Sequence, residues 1–417
     1  MRVNQWNKCF ISTLIFFVLI TGLFTPIFHG SSVHTTVFNT HEETVNADIF
    51  DIKIRSLMVT SHIPSLIACI IQNGNITWSK GYGYYDFYGL KQPTMDTIYQ
   101  VASISKTVTA TAILQLYEQG LFKLDDDVNL YLPFSLRNPN YPDVPITFRM
   151  LLSHHSSLHD HNKTAAYKYF ASDYPLSYVK ELLVPGGEAY HSEFWGDYPP
   201  GEGGNYSNLG FVILGYLVEL FSNQSFESYC QQHIFQPLDM KNTSFDMDTL
   251  PSDKLAGSYL RFGRIYIKLP NVDYTFIDPC GGLLTNINDL SHFLIAHMNN
   301  GTYKNNRILN ESTIHEMHTI QYPESQPYFN LFKFGLGWLI FEKEFGIKTH
   351  GHDGDITFSH ARMRIFNDNN TAVMYFFSKG YRPSILPRIF SSLFEYQIDK
   401  FIRKLLYQKA SETLKLS

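Results

Sequence analysis

The strand-forming residues of this chain are divided between its two ends. Near the start, Leu66 to Ile71 is an unbroken apolar run, Asn73-Gly74 is a pair that favours a tight hairpin turn, and Ile76 to Gly83 reads as the returning strand. Near the finish, Leu336 to Phe341, Ile356 to Phe366 and Ala372 to Phe377 are rich in β-branched and aromatic residues, separated by Gly, Asn and Asp. From about Ser103 to Tyr328 the pattern changes to helical spacing and long loops, as in "LGFVILGYLVELF" and "INDLSHFLIAHM". Asn286 and Asp289 form a capping-box-like start to the second of these. The expected fold is therefore α/β of the α+β type: an antiparallel sheet built from both chain ends, flanked by helices, with a mostly helical part inserted. Helical spacing at Ala47 to His62 and from about Ser384 to Leu406 supplies the flanking helices. In numbers, residues 47–102 and 329–410 carry the sheet and 103–328 the helical part.

At 417 residues with 44% apolar side chains, the chain can bury an ample core. A formal net charge of −5, with no run of Lys or Arg, leaves no electrostatic footprint for nucleic acid. Arg2 and Lys8 precede an apolar run from Cys9 to Phe28, so residues 1–32 read as a secretory signal or a retained membrane anchor, with 33–46 as a linker. The flanking positive charge predicts a cytoplasmic N-terminus and a lumenal or extracellular remainder, secreted or attached to the membrane. N-glycosylation sequons at Asn75, Asn162, Asn205, Asn223, Asn242, Asn300, Asn310 and Asn369 fit that route. Beyond the apolar run stand Cys69, Cys230 and Cys280, an odd number and a poor disulfide framework. Cys69 lies within a strand run and is expected to be a small buried thiol.

Three stretches carry chemistry. In "YQVASISKTVTATAILQLYEQG", Tyr99 to Gly120, Ser103 is placed to cap a helix with the apolar face Val108, Ala112, Leu116 and a terminating Gly120. Ser103 and Lys106, three residues apart, then share one helical face. A hydroxyl at a helix N-terminus sits beside unpaired N–H groups that favour an alkoxide, and a shielded lysine one turn on loses part of its preference for the ammonium form. In "YPPGEGGNYSNLGFVILGYLVE", Tyr198 to Glu219, Tyr206 and Asn208 sit in a Pro- and Gly-rich loop before an apolar helix. Tyr206 can relay a proton beside a lysine, and Asn208 can steady Lys106 or a substrate carbonyl. Asn208 is equally suited to cap the following helix, with Tyr206 packed under it.

The third stretch is "KTHGHDGD", Lys348 to Asp355. Its His-x-His-x-x-Asp spacing is that of a metal-binding segment, with His350, His352 and Asp355 as ligands. The same residues also suit an exposed strand edge facing a nucleophile. There Gly354 lets a substrate approach, His352 offers a polar group, and the Asp355 N–H joins that of Ser103 as an oxyanion hole.

Taken in this order, the three stretches resemble the serine β-lactamase and penicillin-binding-protein-like superfamily, especially its class C β-lactamase, D-amino-acid peptidase and esterase branch. The matching motifs are Ser103 with Lys106, Tyr206 with Asn208, and His352 with Gly354. Landmarks between them also match: "GYGYYD" from Gly81, "ITFRMLLSHHSSL" from Ile146, "PLDMKNTSF" from Pro237, "CGGLLTNINDL" from Cys280 and "FGLGW" from Phe334. The resemblance covers about Pro64 to Gly380. It implies an active site between the sheet and a helical domain, with Ser103 attacking a carbonyl, Lys106 and Tyr206 moving protons, and an acyl-enzyme hydrolysed by water. Asn208, His352, Gly354 and Asp355 become substrate contacts, the partner is a small molecule or short peptide, and no metal or other cofactor is implied.

Departures from the pattern shape the expected substrate. Asp353 and Asp355 flank His352 where β-lactamases bring a lysine to a substrate carboxylate. Their charge is expected to repel acidic substrates and favour a neutral ester, amide or small peptide. His154 matches a structural position of the family, while His155, His159 and His161 read either as a solvated loop or as zinc ligands. Two rival functions remain: a catalytically silent binding or assembly protein on the same fold, and a metallo-hydrolase using His350, His352 and Asp355. The second needs ligands further downstream, where His360 is the only remaining histidine.

Overall fold

Asn73 and Gly74 both adopt positive φ, 48° and 74°, and turn the chain between β1 (Ser65–Gln72) and β2 (Asn75–Gly83), as a two-residue hairpin of this sequence demands. In the computed structural model, which describes residues 48–86, 88–159, 172–262, 265–269, 275–324, 331–368, 370–378 and 399–412, this hairpin joins five strands from the other end. These are β3 (Lys333–Phe334), β4 (Leu339–Glu344), β5 (Ile347–Asp355), β6 (Ser359–Phe366) and β7 (Thr371–Ser378). The sheet runs β2-β1-β7-β6-β5-β4-β3 and every pair is antiparallel. β1 pairs with β7 over eight residues, from Ser65 opposite Ser378 to Gln72 opposite Thr371, so the two chain ends close the sheet against each other.

Both of these strands are buried on both faces, which explains their near-continuous apolar sequence. On one face Leu66, Ala68, Ile70, Val373, Tyr375 and Phe377 pack against α1 (Ile49–Ser61) and a helix over 399–412. Asp48 caps α1, and His62 ends it with φ of 58°. On the other face Ile67, Cys69, Ile71, Met363, Met374 and Phe376 meet α2 (Ser105–Glu118) and α4 (Ile287–Met298). α3 (Asn208–Ser222) packs on α2.

α2 departs from the single apolar face expected of it, because it runs through the core and is buried continuously from Ser105 to Leu114. Its threonines survive there by bonding back to the helix and its neighbour: Thr107 to the Ile104 carbonyl at 2.8 Å, Thr111 to that of Thr107 at 2.9 Å and Thr109 to that of Pro279 at 2.6 Å. Gly120, with φ of 78°, ends α2 as expected, its N–H bonded to Tyr117 and that of Leu121 to Leu116. Asn286 caps α4 by accepting from Asp289 N at 2.7 Å.

One expected strand run is broken. The run Leu336 to Phe341 divides at Gly337, whose φ of 74° lets the backbone approach α2 so closely that a Cβ there would lie 2.4 Å from that of Ala110. β5, whose Gly, His and Asp content disfavours a strand, is held as one by its ladder with β6. The apolar run Cys9 to Phe28, Asn162, His161, Asn369 and residues 384–398 of the expected closing helix lie outside the described residues. Among those described, no single helix is long and apolar enough to cross a membrane.

Candidate active site

The chain enters α2 through a strained turn. Ala102 takes a left-handed φ of 49° and opens a 3₁₀ turn, Ala102–Ile104, with Ser103 at its centre. Ser105 stabilises this turn by donating from Oγ to the Ala102 carbonyl at 2.6 Å and accepting from Leu283 N at 3.0 Å. Ser103 is thus not the side-chain cap expected of it. Its partly exposed hydroxyl instead accepts from Lys106 Nζ at 3.1 Å, the contact that three-residue spacing predicts.

Lys106 is fully buried and held from three sides. Its Nζ donates to Asn208 Oδ1 at 2.6 Å and to the Cys280 carbonyl at 2.7 Å, besides Ser103. Asn208 is available for this because Ser207, not Asn208, caps α3, accepting from Gly210 N at 3.2 Å. The Cys280 carbonyl is a partner that sequence reasoning missed. It sits in a π-helical turn, Asp278–Gly282, and a main-chain oxygen leaves no residue-type signal beyond the neighbouring Gly281-Gly282.

Tyr206 places its ring 4.9 Å from Lys106 Nζ, and Phe211 of α3 closes in at 5.7 Å. The other face of Tyr206 stacks on His154, centroids 4.4 Å apart. His154 is buried and accepts from Ser207 N through Nδ1 at 3.1 Å, tying the Tyr206 loop to the core. Burial, with the charge of Lys106 behind it, holds the His154 imidazole neutral, its pKa well below the ordinary range. His155 is buried against Tyr322, with centroids 4.0 Å apart, and its Nδ1 lies 2.6 Å from the Ser153 carbonyl.

β5 brings the third stretch to the same place. Its ladder with β4 ends at Leu339 opposite Gly351, so His352 to Asp355 extend beyond that strand. Alternation puts His352 and Gly354 on the face toward α2 and Asp353 and Asp355 on the other. A Cβ at Gly354 would lie 1.9 Å from the Val101 carbonyl oxygen and 3.2 Å from Ser103 N, so only glycine admits the Ser103 turn. His352 is buried beside Tyr206, centroids 6.2 Å apart, with Nδ1 2.7 Å from the Asp353 carbonyl.

Two expectations fail here for one reason, the facing of alternate residues. The Asp355 carboxylate lies across the sheet from Ser103 and accepts from Arg362 at 2.8 Å and from His360 Nδ1 at 2.6 Å, whereas the contact expected of Asp355 is that of its N–H. Asp353 pairs with Arg364 at 2.9 Å. Burial raises both carboxyls, but the arginines outweigh it, leaving Asp353 at about 2 and Asp355 lowered as well. Their charge is therefore neutralised away from the cleft, and the electrostatic ground for rejecting acidic substrates disappears. The metal reading fails too, since His352 and Asp355 point to opposite faces. Among the described residues no three His, Cys, Asp or Glu side chains converge as ligands, His155 and His159 included.

Ser103, Lys106, Tyr206, Asn208, His352 and Gly354 thus form one connected cluster. The Beta-lactamase family model matches residues 50–390 of this chain. Protein flp of Staphylococcus aureus strain MW2 is 29% identical over 269 residues, which are 64% of this chain and 52% of flp. Beta-lactamase-like protein 2 of Dictyostelium discoideum is 29% identical over 274 residues, 63% of this chain and 47% of that protein. The chain spans about half the length of the curated relatives it matches. Among solved structures, the octameric penicillin-binding protein homologue from Pyrococcus abyssi superposes with a TM-score of 0.68 at 26% identity, covering 80% of this chain and 74% of that one.

Proposed function

We propose, because the chain belongs to the Beta-lactamase family, that it is a serine hydrolase cleaving an ester, amide or small peptide bond through an acyl-enzyme on Ser103. One observation carries this reading: Lys106 Nζ lies 3.1 Å from Ser103 Oγ while Asn208 Oδ1 and the Cys280 carbonyl hold it in place. These three oxygens are uncharged. As a neutral amine, Lys106 has two N–H bonds for Asn208 and Cys280 and one lone pair for the Ser103 proton. Ser103 Oγ then bonds the carbonyl carbon as its proton passes to Lys106, and the carbonyl electrons move to oxygen. The N–H groups of Ser103 and Asp355 receive that oxyanion. Tyr206, over the lysine, delivers a proton to the leaving group as the tetrahedral adduct collapses and takes one back from Lys106, so both return to their starting forms. Water repeats the sequence on the acyl-enzyme and returns the proton to the leaving Ser103 oxygen.

A fluorophosphonate probe tests this directly. Intact mass analysis should show one adduct on the wild type, peptide mapping should place it on Ser103, and Ser103→Ala should remain unmodified. Lys106→Ala should slow labelling by roughly 100-fold or more, the ordinary range for loss of a general base. Folded wild-type protein that stays unmodified would instead mark a catalytically silent binding protein.

A further inference from the structure

We infer that His352 makes the Ser103 site selective for acyl substrates carrying an uncharged N–H or O–H donor, and against those carrying a carboxylate at the same position. The inference rests on the acyl-transfer reading of Ser103 and specifies the substrate class of that site. Its basis is the tautomer of one ring. His352 Nδ1 lies 2.7 Å from the Asp353 carbonyl oxygen, and a carbonyl oxygen only accepts, so Nδ1 carries the hydrogen. Nε2 of the neutral ring is then an acceptor alone. It is buried with no hydrogen-bond partner among the described residues, in a side chain only 1% exposed.

This acceptor sits on the substrate side of β5. His352 shares the face of Gly354, which abuts Ser103 N, and lies roughly 7 Å further along the strand. Tyr206 stands next to it. A substrate bonded at Ser103 and lying along β5 therefore brings its acyl portion past Nε2. An amide or hydroxyl hydrogen there satisfies a buried lone pair that otherwise has nothing to accept. A carboxylate meets lone pair with lone pair. Protonating the ring would relieve that clash, but burial holds the imidazole neutral, with its pKa down at about 3. The two aspartates beside His352 do not decide the matter, because both are paired with arginines on the far face.

Three p-nitrophenyl esters of matched length isolate the effect: glutaramate with a terminal amide, glutarate with a carboxylate, and 5-oxohexanoate with a methyl ketone that lacks a donor. For the wild type, kcat/KM should be at least 10-fold higher for the amide than for the ketone, with the carboxylate slowest. His352→Leu should bring the amide and ketone within about 2-fold of each other, and His352→Lys should make the carboxylate the preferred ester. Fluorophosphonate labelling of Ser103 in each variant certifies a folded, competent site, and either variant alone suffices if the other fails to label. A wild type that turns over carboxylate and amide equally, or an amide-to-ketone ratio unmoved by His352→Leu, overturns the inference while leaving the hydrolase intact. A wild type that neither labels nor turns over any of the three esters overturns both.

Discussion

Arg362 donates from Nη1 to the carbonyl oxygen of Gly354 at 2.9 Å, gripping from the far face of the sheet the residue against which the Ser103 turn is packed. The same guanidinium bonds Asp355 at 2.8 Å and, through Nε, Asp399 at 2.9 Å. Asp399 belongs to the helix described over 399–412, and its main-chain and side-chain oxygens also accept from Tyr375 at 3.1 and 3.3 Å. A largely buried ion-pair cluster behind the sheet thus sets the position of the strand that packs on the Ser103 turn in front.

Removing one member of that cluster leaves its partners charged and buried. Arg362→Met should destabilise the fold by about 3–5 kcal/mol, the usual result of stranding a buried charge. Adding Asp399→Asn should recover part of the loss. Urea midpoints of the single and double variants check this; equal midpoints for wild type and Arg362→Met would show that the cluster contributes no net stability.

Gly354→Ala should be severe for a change of one methyl group. The new Cβ would stand 1.9 Å from the Val101 oxygen, so β5 or the Ser103 turn must shift. Overpacking of this kind costs ~1–3 kcal/mol, and the shift falls on Ser103 itself. Probe labelling of Ser103 should slow at least ten-fold while circular dichroism retains the native spectrum. Labelling at the wild-type rate would mean the turn yields without consequence.

The fold should be acid-labile. Burial pushes His155 and His350 down to about 4 and His297 and His352 down to about 3, against an ordinary 6.5. As pH falls from the ordinary value toward these, the unfolded chain binds protons that the native state refuses. Stability therefore drops, by about 1.4 kcal/mol per pH unit for each such ring. Glu219 and Asp289, both raised by burial, work in the opposite sense in the carboxylate range and soften the slope there. Thermal midpoints between pH 7 and 4.5 should fall steadily; a flat profile would show that the rings protonate within the native state.

The fold was largely legible in the sequence. Hydrophobic runs of strand length at both ends and helical spacing between them implied the antiparallel sheet, because such runs must be buried and strand pairing satisfies their backbones. The Asn73-Gly74 turn, the Asn286 cap and the Gly120 terminus follow from local chemistry that tertiary structure had no reason to override. β5 was harder to place as a strand. Its glycines, histidines and aspartates have low strand propensity, and its ladder with β6 supplies what propensity lacks.

Within the site, the division is between what spacing determines and what packing determines. Three-residue spacing alone brings Lys106 to Ser103, since neighbours on a helix meet wherever the helix lies. The sequence likewise contained the residue types that acyl transfer needs, and the order of their motifs pointed to the family. Tertiary structure decided the rest. It gave the cap of α3 to Ser207 and turned Asn208 toward Lys106, supplied the Cys280 carbonyl, and sent Asp353 and Asp355 across the sheet to the arginines of β6. Those outcomes depend on which atoms of distant segments face each other. Facing is set by strand register and core packing, while the sequence specifies only neighbours along the chain.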